Sequence, residues 1–206
     1  MIKFDHVTKR YPSSNEALSQ VSFVIEAGEL VFVTGHSGAG KSTLLKMVAG
    51  LLEPTDGRLL LWRKPVQQLA ESGKKMSFVF QSPTLMPWAT VEKNVRLPLE
   101  LAGVDKVIAD DKVKEVLALV GLSKFAKALP RALSGGMQMR VSIARGLVTD
   151  PDLLLMDEPT AGMSPQETTV MMDLIRQLAQ ERTVILVEHK MKLVMNLCNR
   201  LIVLHH

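Results

Sequence analysis

The chain has 206 residues, 47% apolar and 22% charged, which excludes the low-hydrophobicity, high-charge composition of a disordered protein. Its net charge is +4 without a long block of one sign, so the basic excess is read as a mixed-charge surface and no nucleic-acid partner is expected. A single cysteine, Cys198, excludes a disulfide framework, and no apolar run reaches the roughly 18–20 residues that cross a bilayer.

The length suits one domain, or one domain carrying an insert. The opening MIKFDHVTKRYP has no apolar core of a secretory signal, so none is expected. Residues 2–7 (IKFDHV) alternate apolar and polar side chains, as a half-buried strand does, and so do residues 20–26 (QVSFVIE). Ala27 and Gly28 make a turn into ELVFVTG (29–35), a fully buried strand. KSTLLKMVAGLL (41–52) has helical spacing and stops before Pro54; GRLLLW (57–62) and KMSFVFQ (75–81) are further strands.

From about residue 82 to 148 the pattern is helical. VEKNVRLPLELAG and DDKVKEVLALVG are amphipathic and each closes on a glycine; KALPRALSGGMQMRVSIARGLV places a turn ahead of another helix. DLLLMDEP then reads as a buried strand, the segment after Pro165 as a helix, TVILVE as a strand, KMKLVMNLC as a helix with Cys198 a buried thiol, and RLIVL as a last strand. Strands alternating with helices predict an α/β fold with a parallel core, residues 1–81 and 149–206, and a helical insert at about 82–148.

The link between the third strand and the first helix, GHSGAGKST (35–43), fits G-x-x-x-x-G-K-[ST]. Gly35, Ser37, Gly38, Ala39 and Gly40 form a loop that can turn its N–H groups toward phosphates, and the helix behind it adds its positive end. Lys41 would reach the β and γ phosphates, Ser42 would give its hydroxyl to Mg²⁺, and Thr43 would help hold the phosphates. LLLMDEP (153–159) delivers Asp157 and Glu158 to the carboxyl end of a buried strand, where open parallel sheets bind ligands. Asp157 suits the Mg²⁺ shell, and Glu158 could polarise a water against the γ-phosphate. ALSGGMQMR (132–140) supplies a second anion site, bare N–H groups at a helix start. One nucleotide needs only one γ-phosphate cradle, so Ser134, Gly135 and Gly136 are assigned to the nucleotide of another copy.

With these three motifs in this order the chain resembles the ATP-binding cassette (ABC) ATPases, whose signature reads Leu-Ser-Gly-Gly. The resemblance implies a phosphate-loop core with a mostly parallel sheet, an N-terminal antiparallel β subdomain and an inserted α-helical subdomain. By the same resemblance Tyr11 stacks on adenine, Gln81 senses Mg²⁺ and the attacking water, and His189 contacts the γ-phosphate. SPTLMPWATVEKNV (82–95) is similar to the stretch that meets a membrane subunit; Trp88 there is either such a contact or local core. Different segments resemble different branches: the first part cell-division ABC ATPases, the middle nitrate, sulfonate, taurine or pyrimidine importers, and the part from AGMSP onward branched-chain amino acid importers. Ser164 stands where the family usually has an aspartate that contacts the partner copy's phosphate loop, and the chain stops at VLHH (His205 and His206 last), where relatives commonly continue.

The resemblance therefore implies an ATPase binding ATP and Mg²⁺, two copies head to tail around two ATP molecules, and an integral membrane subunit as partner. It would lie in the cytoplasm against the inner face of the cell membrane. The rival readings are a non-transport regulator of the cell-division type and an engineered or chimeric ABC domain.

Overall fold

The computed structural model describes residues 2–12, 16–189 and 199–204. The helix expected over KMKLVMNLC, with Cys198, and the two final histidines lie outside the described residues. The chain divides into two compact units, one holding residues 1–78, 152–158 and 178–206 and the other 79–151 and 159–177.

The first unit contains two sheets. β1 (Ile2–Arg10) pairs antiparallel with β2 (Glu16–Ile25) and with β4 (Asp56–Leu61), which carries the two-residue β5 (Lys64–Pro65) on its far side. The alternation in 2–7 marks β1 correctly, but the strand runs on to Arg10 through a register shift after Phe4, and His6 has a φ of 52°. Further shifts follow at Val7 and Lys9, and residues 8–10 (TKR) have no apolar alternation, which is why the strand reads short in the sequence. Phe4 and Phe23, opposite each other in the register, stack with ring centroids 4.4 Å apart.

The second sheet has strand order β6-β7-β8-β3-β9: β6 (Met76–Val79), β7 (Leu153–Asp157), β8 (Thr183–Val187), β3 (Leu30–Gly35) and β9 (Arg200–Leu204). β7, β8, β3 and β9 run parallel to one another. Every residue of β7 and β8 is buried, as expected of parallel strands covered on both faces. α1 (Lys41–Val48) places Leu44, Leu45, Met47 and Val48 into one apolar core with Phe4, Val31, Leu61, Leu155 and Ile185. Burying such side chains is worth about 1.5–3 kcal/mol each. The helix ends at Val48 rather than reaching residue 52, because Gly50 N–H bonds to Met47 O and Leu51 N–H to Lys46 O, a Schellman closure.

The second unit is helical: α2 (Val91–Leu101), α3 (Lys106–Leu119), α4 (Gly135–Leu147) and α5 (Pro165–Leu178), the last ending one residue past the unit boundary. Thr90, Asp105 and Ser134 cap the first three by accepting N–H bonds. Asp105 accepts from Val107 and Ile108, so α3 starts four residues before the expected DDKV. α2 packs on α4 and α3, burying Val91, Val95 and Leu99.

Candidate functional site

The phosphate loop is shaped by backbone geometry. β3 is buried through Val33, and the loop then reverses into α1. Gly40 caps α1 in the left-handed region, φ 86°, with no side-chain acceptor on the first N–H groups. It also packs tightly: a Cβ there would lie 2.1 Å from Ala17 O. Lys41 is only 7% exposed, and its Nζ donates to Gly35 O at 2.9 Å and His36 O at 2.8 Å. The ammonium is thereby held across the mouth of the loop.

Two strands away in the sheet, Asp157 closes β7, and Ser42 Oγ donates to Asp157 Oδ1 at 3.1 Å, joining residues 115 apart in sequence. Burial pushes the Asp157 carboxyl above the ordinary aspartate range; the Ser42 hydrogen bond opposes that push and the Glu158 charge adds to it. A buried carboxyl group beside a hydroxyl is a set of hard oxygen donors, which fits Mg²⁺.

Glu158 follows at φ 49°, an uncommon conformation for a side chain with a Cβ, held by its N–H bonding to Val187 O at 3.0 Å. The turn swings its carboxylate away from Asp157 toward the end of β8. There His189 Nε2 and Glu158 Oε1 lie 2.6 Å apart; with Glu158 ionised, the Nε2–H tautomer of His189 donates. Tyr11, beyond the end of β1 and 36% exposed, shares a 3.2 Å hydrogen bond with Thr43 Oγ1, and Lys9 Nζ lies 5.8 Å from its ring centroid. Tyr11, Ser37, Gly38, Gly40, Lys41, Ser42, Thr43, Glu158 and His189 line a single cleft of about 620 Å³ with Glu16 and Ala17.

Thus eight of the sequence-predicted positions for nucleotide and chemistry line one cleft with Tyr11, and Asp157 is tied to it through Ser42. Gly35 and Ala39 belong to the same loop, Ala39 buried beneath it. Gln81 is exposed, two residues past the end of β6, and belongs to the helical unit. Ser134, Gly135 and Gly136 also sit in the helical unit, as the start of α4. Ser134 Oγ accepts from Met137 N–H at 3.2 Å and donates to Glu167 Oε1 at 2.7 Å. Ser164 starts α5 instead of reaching outward: its Oγ accepts from Glu167 N–H at 3.2 Å.

Trp88 is 78% exposed, which overturns local core as its role. The stretch around it is pinned from two helices. Asn94 of α2, fully buried, donates to Met86 O, Ala89 O and Thr90 O and accepts from Met86 N–H. Arg145 of α4 donates to Pro83 O, Thr84 O and Thr84 Oγ1. Sequence reasoning missed Asn94, Arg145 and Glu167. Asn94 had a readable signal, a polar residue on the buried side of a helix between Val91 and Val95.

A glycine-lined strand-to-helix loop, with a Ser–Asp pair at its foot and a Glu–His pair beside it, defines a phosphate-loop nucleotide-binding domain. The ABC transporter family profile matches residues 18–161, and the chain belongs to that family. It is 38% identical over its whole length to methionine import ATP-binding protein MetN 2 of Staphylococcus epidermidis, covering 63% of that protein. It is 40% identical over 99% of its length to MetN of Xanthomonas campestris, covering 64% of that protein. The chain thus spans just under two thirds of the length of these curated relatives. Among solved structures it resembles the dimeric post-hydrolysis state of the ATP-binding cassette MJ0796 bound to ADP and Pi: TM-score 0.87, 32% identity, 99% of this chain and 94% of that one. It also resembles cbiO1 of Clostridium perfringens, part of the ABC transporter complex cbiONQ, with TM-score 0.89, 29% identity, and 98% and 83% covered.

Proposed function

We propose that this domain binds and hydrolyses ATP as the motor of an ABC transporter, with two copies head to tail around two nucleotides. The observation that carries the reading is the single cleft that gathers Lys41, Ser42, Glu158 and His189, with Asp157 bonded to Ser42. Membership in the family and the dimeric cassettes among its structural relatives support it.

Tyr11 would stack on the adenine, a contact worth about 1–3 kcal/mol. Lys41 would exchange its two carbonyl acceptors for phosphate oxygens, trading hydrogen bonds rather than making them anew. Ser42 and Asp157 would hold Mg²⁺, with Gln81 completing its surroundings; bound there, the ion would neutralise charge on the phosphates. Glu158 would accept a proton from water as the water oxygen bonds to the γ-phosphorus and the bond to the bridging oxygen breaks, leaving ADP and phosphate. His189 would keep the Glu158 carboxylate aimed and contact the γ-phosphate. Ser134, Gly135 and Gly136 would close the other copy's site.

The exposed Trp88 stretch, held by Asn94 and Arg145, would receive an integral membrane subunit. No helix among the described residues is long and apolar enough to cross a membrane, so such a partner would supply the spans. The domain would then lie in the cytoplasm, peripheral to the inner membrane face. The relatives are named for methionine import, which favours an import complex over a regulator without a transported solute.

The test is steady-state phosphate release against protein concentration for the wild type, Glu158→Gln and Ser134→Arg. A steeper-than-linear rise lost in both variants is expected. A rate strictly proportional to concentration and untouched by Ser134→Arg would end the shared-site reading.

A further inference from the structure

The Ser134–Gly135–Gly136 turn already carries an anion from its own chain. Glu167, in the first turn of α5, sets Oε1 2.7 Å from the Ser134 hydroxyl that donates to it, and Gly136 packs against the same carboxylate. The approach is close: a Cβ on Gly136 would lie 2.7 Å from Glu167 Oε1 and 2.9 Å from its Cδ, whereas a Cβ on Gly135 would meet nothing within 4 Å. The opposite oxygen, Oε2, accepts from Ser164 N–H at 3.2 Å and Ser164 Oγ at 3.1 Å.

Ser164-Pro165-Gln166-Glu167 is thus a capping box that also aims its glutamate at a second helix start. The serine matters, since its hydroxyl accepts from Glu167 N–H and donates to the carboxylate. An aspartate at 164 would set a second negative charge against Glu167. The Ser134 hydrogen bond, followed by those from Ser164, holds the Glu167 carboxyl below the usual glutamate range, so it is charged at neutral pH.

We propose that Glu167 is a built-in occupant of this anion site, which the terminal phosphate of a nucleotide on a second copy must displace before two copies can close. The inference rests on the shared-site reading above. A hydroxyl has one proton, so the Ser134 donor cannot serve the carboxylate and a phosphate together, and the carboxylate packed on Gly136 occupies the space at the turn. A carboxylate left beside the incoming polyphosphate would also repel it. Displacement is feasible because Glu167 keeps its Ser164 partners on the other oxygen. Glu167 therefore sets the concentration at which the pair forms while leaving nucleotide binding to the single copy unchanged.

The experiment measures the ATP- and Mg²⁺-dependent monomer–dimer constant by sedimentation in a Glu158→Gln background, alone and with Glu167→Ala, Glu167→Gln or Ser134→Arg. An exposed charged contact changes an equilibrium by roughly 1.5- to fivefold, and a two-fold dimer contains it twice, so Glu167→Ala is expected to tighten dimerisation about two- to twenty-five-fold. Glu167→Gln is expected to act in the same direction. The monomer's affinity for a fluorescent ATP analogue should not change, and thermal midpoints show whether each variant is folded. Dimerisation unchanged or weakened in both Glu167 variants, with Ser134→Arg abolishing it, overturns this inference alone and makes Glu167 a support of the turn. Dimerisation unaffected by Ser134→Arg, or absent from every variant, overturns the shared-site reading and this inference with it.

Discussion

Alanine at Gly38 and at Gly40 forms a matched pair that separates two demands on the phosphate loop. Both residues have left-handed backbones, φ +85° and +86°, so each alanine incurs the same conformational cost of about 1–2 kcal/mol. Their surroundings differ. A Cβ on Gly38 meets nothing within 4 Å, whereas one on Gly40 lies 2.1 Å from Ala17 O and 2.9 Å from Leu18 Cδ2. Opening the first contact to an ordinary 3.4 Å requires a retreat of 1.3 Å (3.4 minus 2.1) by the β2 backbone. Overpacking of that kind adds about 1–3 kcal/mol, so Gly40→Ala should lose roughly 2–5 kcal/mol in total. Urea unfolding followed by tryptophan fluorescence is the assay. Trp62 packs against the core of the same unit, while Trp88 is largely exposed and gives a nearly constant background. With an m-value near 2 kcal/mol per M, the Gly40→Ala midpoint should fall about 1 M below that of Gly38→Ala. Equal midpoints would refute the argument that close packing against β2, and not backbone conformation alone, demands a glycine at 40.

Asp157→Asn should stabilise the domain at neutral pH in the absence of nucleotide, because the buried carboxyl has its pKa raised and resists ionisation. The wild type binds more protons folded than unfolded in that window, so its stability falls as pH rises just above the ordinary aspartate range. Denaturation midpoints from pH 4 to 7 should show that slope in the wild type and lose it in Asp157→Asn, which should also lose Mg²⁺-dependent turnover. Tyr11→Ala should weaken ATP binding about tenfold with little effect on inorganic triphosphate, read by competition with a fluorescent nucleotide. Asn94→Leu should lose about 2–4 kcal/mol in urea unfolding, since it removes the Asn94 partner of Ala89 O and of Met86 N–H, while Met86 O and Thr90 O keep backbone donors. An unfolding midpoint unchanged in Asn94→Leu would mean that Arg145 alone holds the stretch.

The parts of the fold that were legible are those whose signal is local. The glycine loop, the buried strand before it and the apolar run ending in Asp157 each carry their pattern within ten residues. The strand-end rule then places Asp157 near Ser42 across 115 positions, a distance no local pattern spans. Boundaries were less legible. KMSFVFQ reads as one strand to Gln81, but β6 ends at Val79, and Phe80, apolar in the pattern, is 39% exposed. The pair β5 and the turn of helix from Val66 to Ser72 have no periodicity long enough to read. Glu167 was hidden for a different reason. Its S-x-x-E spacing is local and readable as a capping box, but the second hydrogen bond reaches a hydroxyl 33 residues away.

The groups to which the phosphate and metal chemistry is assigned leave the carboxyl ends of three adjacent strands: Lys41 and Ser42 follow β3, Asp157 finishes β7 with Glu158 next, and His189 follows β8. Their relative heights are therefore set by inter-strand register, with Asp157 level with Val187 and Val187 level with Val33. Such a mounting behaves like a ruled frame. Outer helices can be exchanged between cousins, or whole stretches respliced at strand ends, without moving the reactive atoms, so long as each ladder keeps its pairing. A one-residue slip would shift one group by about 3.3 Å against the others, which is more than a hydrogen bond tolerates.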